Sequence, residues 1–188
     1  DAPLAARNEH GGASARAEWN VGPGTLTSVT AWRYWDWGPK NDRDFTGLPI
    51  YTKVNNPTKQ DQYTQEFRYN YEADRLNFVV GAFAFHQKIR TKGIQETGSA
   101  ASAWLLAPSS ALSNNPAVLN NVVANNDIRL DNTSLAAFSK VNWEVTDRLT
   151  ISPGVRINYD KKEGLYNSVV VGTASDGVEI TAQNGRYG

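Results

Sequence analysis

The chain lacks cysteine altogether, which excludes a disulfide framework, a thiolate metal site and a thiol nucleophile. Histidine is nearly absent too. His10 and His86 are the two present, too few for a histidine-based zinc site or a catalytic triad. Neither sign of charge dominates: 19 basic residues balance 19 acidic ones, whereas a nucleic-acid binder usually carries a basic excess. Long apolar runs are missing. The longest uncharged apolar-leaning stretch, Leu76 to Phe85, is far short of the ~18–20 residues a spanning helix needs. No Gly-rich loop stands between a strand and a helix to cradle phosphate. The titratable residues are strung along the chain instead of converging, so no catalytic constellation emerges; neither enzyme activity nor a cofactor is expected. The opening residues, Asp1 to His10, lack the basic-then-apolar pattern of a signal peptide. Either a signal was removed or the chain begins inside something longer; the residues read as a loop tail, which favours the second.

What is present is aromatic. Six Trp and eight Tyr sit in a chain whose mean hydropathy is −0.52, a mixture suited to surfaces that meet both lipid and water. The aromatics fall within alternating segments, and a period of two means strand, because successive side chains point to opposite faces. In Gly12–Asn20, Ala13, Ala15, Ala17 and Trp19 oppose Ser14, Arg16, Glu18 and Asn20. Val21-Gly22-Pro23-Gly24 makes a tight turn, and Thr25 to about Trp35 returns, rich in β-branched and aromatic residues. After a loop expected from Asp36 to Gln60, a second hairpin places Tyr63, Phe67 and Tyr69 on one face and Thr64, Glu66, Arg68 and Asn70 on the other. It turns at Tyr71–Asp74 and returns over Leu76 to about Lys88. A third alternates from Ser134 to Trp143, turns at Val145–Arg148 and alternates again from Leu149 to Tyr159. Pro153 removes a ladder donor mid-strand and implies a bulge or an unpaired position. The remainder, from Lys161, is polar and Gly-rich with an extra strand expected near Ser168–Val171. A long segment, Ile89 to about Asp127, carries two helix-like patches, one near Ala100–Leu106. The other starts with Asn115 as N-cap and Pro116 in the first helical position, and puts Val118, Leu119, Val122 and Val123 on one helical stripe.

Tight turns and long connections therefore alternate strictly, as in outer-membrane barrels, which pair short periplasmic turns with long extracellular loops. Leu149–Tyr159 fits the ~9–11 residues of a tilted spanning strand. A hydrated interior tolerates the row Arg16, Glu18, Glu66, Arg68, Lys140, Arg156 and Asp160 where a soluble core would not. Trp19, Tyr69 and Trp143 each precede a tight turn, where a periplasmic aromatic girdle belongs. A soluble antiparallel sandwich with one wet face explains the alternation equally well. It explains less well the aromatics beside every tight turn and the long loops at one end.

Four segments carry a resemblance beyond pattern. GTLTSVTAWRYWDW (Gly24–Trp37), QEFRYN (Gln65–Asn70), LNFVVGAFAFHQ from Leu76, and SLAAFSKVNWEVTDRLTISPGVRINYDKK from Ser134 occur in the order and spacing of the barrel hairpins of TonB-dependent receptors. The chain resembles that family over roughly residues 12–162. The resemblance implies an all-β, antiparallel up-and-down meander. Residues 1–188 would be a partial transmembrane β-barrel of about six strands, with long, partly helical extracellular loops. Such barrels have about 22 strands, so the chain reads as an internal piece without plug, TonB box or C-terminal strand. The implied function is active import of a scarce small-molecule ligand, such as an iron–siderophore complex, across the outer membrane of a Gram-negative cell. The implied partners are outer-membrane lipid, the rest of the barrel and plug, and the TonB complex reached through the plug. A passive porin and a soluble β-sandwich binding module remain as alternatives.

Several residues invite a role. Arg156 and Asp160 project on the polar face, near the outer end of their strand as the pattern draws it. There they either touch a bound ligand or serve as wall charges paired with neighbouring strands. Asp42 and Asp44 form a bare D-x-D, short of the donors a calcium site needs, and read as solvated loop charge. Trp32, Tyr34, Trp35 and Trp37 read as an outer aromatic girdle, with stacking on a ligand as the alternative. His86 reads as a single interfacial residue. Asn132-Thr133-Ser134 fits a glycosylation sequon, with nothing to support the eukaryotic secretory setting it needs.

Overall fold

A computed structural model describes residues 3–172 and 179–187, with side chains described through residue 172. Turn chemistry sets the first hairpin. Strand β1 (Ala5–Val21) and β2 (Gly24–Lys40) pair along their whole lengths, closed by two residues of which Gly22 takes φ 59°. A positive φ at the first central residue matches the right-handed twist of the strands, and glycine adopts it without steric cost. Strands β3 (Tyr51–Asn55), β4 (Thr58–Glu72), β5 (Leu76–Thr97), β6 (Val123–Thr146), β7 (Leu149–Ile151), β8 (Gly154–Val171) and β9 (Glu179–Tyr187) complete one nine-stranded antiparallel sheet.

The nine strands occupy seven lanes, because β3 with β4 and β7 with β8 each share one. Both interruptions fall at proline, which has no N–H to give the ladder. At Asn56–Pro57 the break is bridged by Asn56 N–H to the Pro39 carbonyl (3.3 Å) and Lys92 N–H to the Pro57 carbonyl (3.1 Å). At Ser152–Pro153 the Pro153 carbonyl still accepts from Val141 N–H (2.9 Å). The all-β meander expected from the alternation is therefore the observed fold. Tight turns gather at one end of the sheet and the segments 41–50 and 98–122 at the other.

The strands are longer than the alternation suggested. β5 has 22 residues and β6 has 24, well beyond the ~9–11 that cross a bilayer. Loops expected over 36–60 and 89–127 shrink accordingly, and Ser168–Val171 is the end of β8, not a separate strand. Alternation marks only the stretch where one face is apolar. Beyond it both faces are polar, the signal vanishes, and the backbone ladder continues.

The register gives the sheet two faces. Trp19, Leu26, Tyr69, Val80, Ser139 and Val155 stand abreast on the apolar face. So do Ala17, Ser28, Phe67, Ala82, Ala137 and Ile157 in the neighbouring row. No second layer of the described residues covers them: Ile157 is 71% exposed and Trp143 is 52% exposed. On this face Trp19, Tyr69, Tyr71, Phe78 and Trp143 cluster at the tight-turn end, and Trp32, Tyr34 and Tyr63 at the other. Tyr69 donates its hydroxyl to the Val21 carbonyl (3.0 Å), tying the girdle to the first turn. Past the outer aromatics the same face turns to charge, with ion pairs Arg7–Glu9 (2.7 Å), Asp127–Arg129 (2.7 Å) and Lys161–Glu163 (3.2 Å) between residues two apart on one strand. The hydrogen bond from Arg129 holds the Asp127 carboxyl below the usual carboxylate range.

The fully buried apolar side chains lie in the outer loops. Ile50 and Ala101 are inaccessible, as is Ser102 of the short helix α1 (Ala101–Leu105). The helix-like patch near Ala100–Leu106 thus becomes α1. Asn115 does act as a cap, its side chain accepting from Ala117 N–H (3.1 Å), but it opens a single 3-10 turn, Pro116–Val118, and no longer helix. Val123 instead joins β6, because pairing with Val171 and Glu96 on either side satisfies its backbone in the sheet.

Candidate functional site

The polar face is built by the same register. Glu18, Thr27, Arg68, Gly81, Phe138 and Arg156 stand abreast in one row. Its charges are answered locally. Arg16 meets Glu18 at 2.5 Å, Thr27 donates to Glu18 at 3.2 Å, and Arg68 lies 3.6 Å from Glu66. Gly81 makes room for the Phe138 ring, which a Cβ would strike, along with the Phe67 carbonyl at 2.8 Å. The Arg156 guanidinium covers the other end of that ring at 5.7 Å and donates to Asn158 at 2.8 Å.

Arg156 and Asp160 therefore share the polar face but are not brought together. Arg156 is engaged by Phe138 and Asn158, while Asp160 has no hydrogen bond or ion pair among the described residues. Nor are they near the outer end of their strand. Since β8 runs from Gly154 to Val171, Arg156 sits at its tight-turn end and Asp160 still in its first half. The sequence pattern stops near Tyr159 because the strand's remaining residues lose their apolar face.

The four aromatics of β2 also divide. Trp32 and Tyr34 face the apolar side, opposite Tyr63 and Asp61, whereas Trp35 and Trp37 face the polar side. Alternation separates even from odd positions, so a single girdle over 32–37 is not what forms. Trp35 and Trp37 stack on each other with centroids 5.6 Å apart and planes 10° from parallel. Trp35 donates its indole N–H to Asn8 at 2.6 Å.

This stack separates two hollows at the loop end of the polar face. The lower, about 550 Å³, lies over the small residues Gly12, Ser14 and Ala31 and is rimmed by His10, Arg33, Trp35 and Gln62. The upper, about 480 Å³, is lined by Trp37, Arg43, Phe45, Asn56 and Gln95. Arg43 lies 5.4 Å from the Tyr51 ring and donates to Gln95. Phe45 is 81% exposed and holds φ 54°, a conformation strained for a bulky residue. Such strain persists only where the surroundings impose it. The surroundings here centre on Asp44, whose carboxylate accepts from Thr46 N–H (3.0 Å), the Thr46 hydroxyl (2.7 Å) and Tyr51 N–H (3.0 Å). Burial alone would raise the Asp44 pKa; these hydrogen bonds outweigh it and hold the carboxyl below its usual range. Asp44 is thus a loop organiser more than a solvated charge. No cluster of three or more metal-ligating side chains forms among the described residues.

The sequence reading missed these hollows. Gln60, Asn56 and Arg43 fall in a stretch read as loop, and the separation of Trp35 and Trp37 from Trp32 and Tyr34 was legible only by carrying strand parity past Trp35. The hollows offer stacked indoles, two guanidinium groups and amide side chains, which suit a flat or anionic small molecule.

No family model and no curated protein sequence matches the chain. Among solved structures it is similar to the ferric yersiniabactin uptake receptor FyuA from Yersinia pestis, with a TM-score of 0.66 and 17% identical residues. The match covers 99% of this chain and 25% of that one, so the chain spans about a quarter of the receptor's length. The chain accordingly has the fold of a stretch of the β-barrel of a TonB-dependent outer-membrane receptor.

Proposed function

We propose that the chain is part of the barrel wall of an outer-membrane active transporter that imports a scarce small molecule, such as an iron–siderophore complex, with energy from the TonB system. The apolar face meets lipid, the polar face lines the interior, and the loops over 41–50 and 98–122 stand at the extracellular mouth. The observation that carries this reading is the uncovered apolar face. It is bounded at both ends by aromatics, and between them β5 needs only its stretch Leu76–His86 to cross, a length within the ~9–11 residues of a tilted spanning strand. A soluble sandwich requires a second layer over that face, and none covers it among the described residues. Likeness to an uptake receptor and the four ordered hairpin motifs favour active import over passive flow.

The Trp35–Trp37 stack and its two hollows are the first contact for the ligand. Arg156 and Asp160 are interior wall residues that it meets further in. Uptake of labelled ferric siderophores and cobalamin by cells expressing the complete reading frame, with and without a functional TonB system, tests this. Energy-dependent uptake of one of them, reduced by Trp37→Ala, is expected. Uptake that ignores TonB would replace this reading with a passive channel.

A further inference from the structure

We propose that Asp44 is a positioning residue for the imported ligand: its carboxylate holds Phe45 in a left-handed backbone conformation, so that the Phe45 ring forms one jaw of the upper hollow, with Trp37 as the other. The assignment rests on the uptake reading above.

The upper hollow belongs to the interior face. Trp37 lies on that face of β2, and Gln95 lies on it in β5, paired with Val54 of β3. Val54 is buried although it stands at the loop end of the sheet. Arg43 and Phe45 line the same hollow, and Arg43 donates to Gln95. Segment 41–50 is therefore folded over the interior face and not away from it. Phe45 borders the hollow from the side opposite the strands.

The residue type at position 45 sets this bend apart. Gly22 and Asn121 also take a positive φ. Glycine and asparagine adopt that conformation readily, whereas a bulky aromatic residue does not. Either of them would serve a turn at position 45. The Phe45 ring gains nothing from its place within the fold. It is exposed, and it makes no ring-stacking or cation–π contact among the described residues.

Asp44 supplies the restraint. Its carboxylate accepts from the Thr46 N–H, the Thr46 hydroxyl and the Tyr51 N–H, and its own N–H donates to Asp42 (3.3 Å). These bonds fix the backbone on both sides of Phe45. Strain that the surroundings over-determine in this way gathers at ligand clamps.

The hollow's chemistry fits a flat group with an anionic oxygen. Trp37 stacks on Trp35 with one face, which leaves its other face to the hollow. Arg43 is oriented by Gln95 and the Tyr51 ring, and a guanidinium has five N–H donors, so most remain for a ligand. No carboxylate of the described residues lines the hollow. An aromatic ring bearing a phenolate or a carboxylate meets the two rings with its π-face and the guanidinium with its oxygen.

The test uses the complete reading frame carrying this chain, purified in detergent and titrated with each of the labelled ferric siderophores and with cobalamin. Phe45→Ala should weaken the ligand that binds by about tenfold, the size of one lost aromatic contact, and Phe45→Tyr should preserve its affinity. Asp44→Asn should weaken it by a smaller factor. In the Phe45→Ala background Asp44→Asn should add nothing, because Asp44 acts through the ring. Phe45→Gly separates presentation from stability. Glycine takes the positive φ freely, so protease protection of segment 41–50 should hold or rise while binding falls as far as in Phe45→Ala. Binding indifferent to Phe45→Ala, losses from Asp44→Asn and Phe45→Ala that simply multiply, or a fall in loop protection in Phe45→Gly overturns the jaw and leaves the uptake reading standing. Failure of the wild-type protein to bind any of these ligands overturns the uptake reading and the jaw with it.

Discussion

The outer loops and the sheet treat apolar side chains in opposite ways. In the loops Ile50 and Ala101 are sealed from solvent, and Ser102 beside them has its hydroxyl between Leu119 N–H (3.1 Å) and the Pro116 carbonyl (3.4 Å). In the sheet Val155, Ile157 and Tyr159 stand exposed in sequence on one face. The loops hold a small soluble-type core, in which Ile50 and Ala101 are buried and the polar group beside them is paired, while Phe45, Trp104 and Leu112 stay exposed around it. The sheet saturates its backbone in the ladder and leaves its apolar groups outward, the arrangement expected of the proposed membrane-spanning wall. The difference predicts that the same kind of substitution will have opposite consequences in the two regions.

The largest effect is expected at mid-depth of the apolar face. Ala82→Arg places a charge where lipid should be and ought to cost about 2–4 kcal/mol, read as loss of the folded, heat-modifiable band in outer membranes. Thr64→Arg, on the polar face of the adjacent strand, should change stability by only about 0.5 kcal/mol. Equal penalties at the two positions would break the two-face comparison.

The next effect is confined to the loops. Gly98 lies against the Pro49 carbonyl, where a Cβ has no room, and donates its N–H to the Ile50 carbonyl (2.9 Å). Gly98→Val should separate segment 41–50 from 98–122 at a cost of about 1–3 kcal/mol. Limited proteolysis should then cut both loops faster while the barrel's unfolding temperature holds. A matching fall in barrel stability would mean that the loop core and the sheet are not independent.

This contrast also explains what the sequence made legible. Ala13, Ala15, Ala17 and Trp19 announce β1 because one of its faces is apolar and the other polar. Nothing imposes such a demand on Asp127–Asp131 or Lys161–Glu163, where both faces are wet, so the outer halves of β6 and β8 were hidden. The mouth hollows were hidden for the same reason. They are assembled by register across β1 to β5, and pairing partners cannot be read from one strand's composition. Asp44 carries no signal of its role, since its three donors are set by a loop conformation and not by a motif.

A smaller effect comes from Asp44. Its carboxyl titrates below the usual range in the folded loop, so the charged form stabilises that loop. The stabilisation is fully present above the ordinary carboxylate pKa and is lost as pH falls through the lowered folded value. Protease protection of segment 41–50 should therefore hold at neutral pH and fail in acid, ahead of the sheet. Asp44→Asn should flatten that dependence, and an unchanged acid profile would remove Asp44 from the account.

The smallest effect is expected at the other end of the molecule. Arg75 and Asp147 form a 2.6 Å ion pair that links two neighbouring tight turns, with both side chains largely exposed. Water screens such a pair, and ordering two long side chains offsets much of the attraction, leaving about 0–1 kcal/mol. The turns are already held by Glu144 N–H to the Arg75 carbonyl (2.9 Å) and Ala73 N–H to the Leu76 carbonyl (3.0 Å). Asp147→Ala should thus leave the barrel's unfolding temperature nearly unchanged, and its small effect should vanish in high salt. A large, salt-insensitive loss would show that the turn end carries buried contacts of its own, and that the contrast between a cored outer region and a core-free remainder is drawn too sharply.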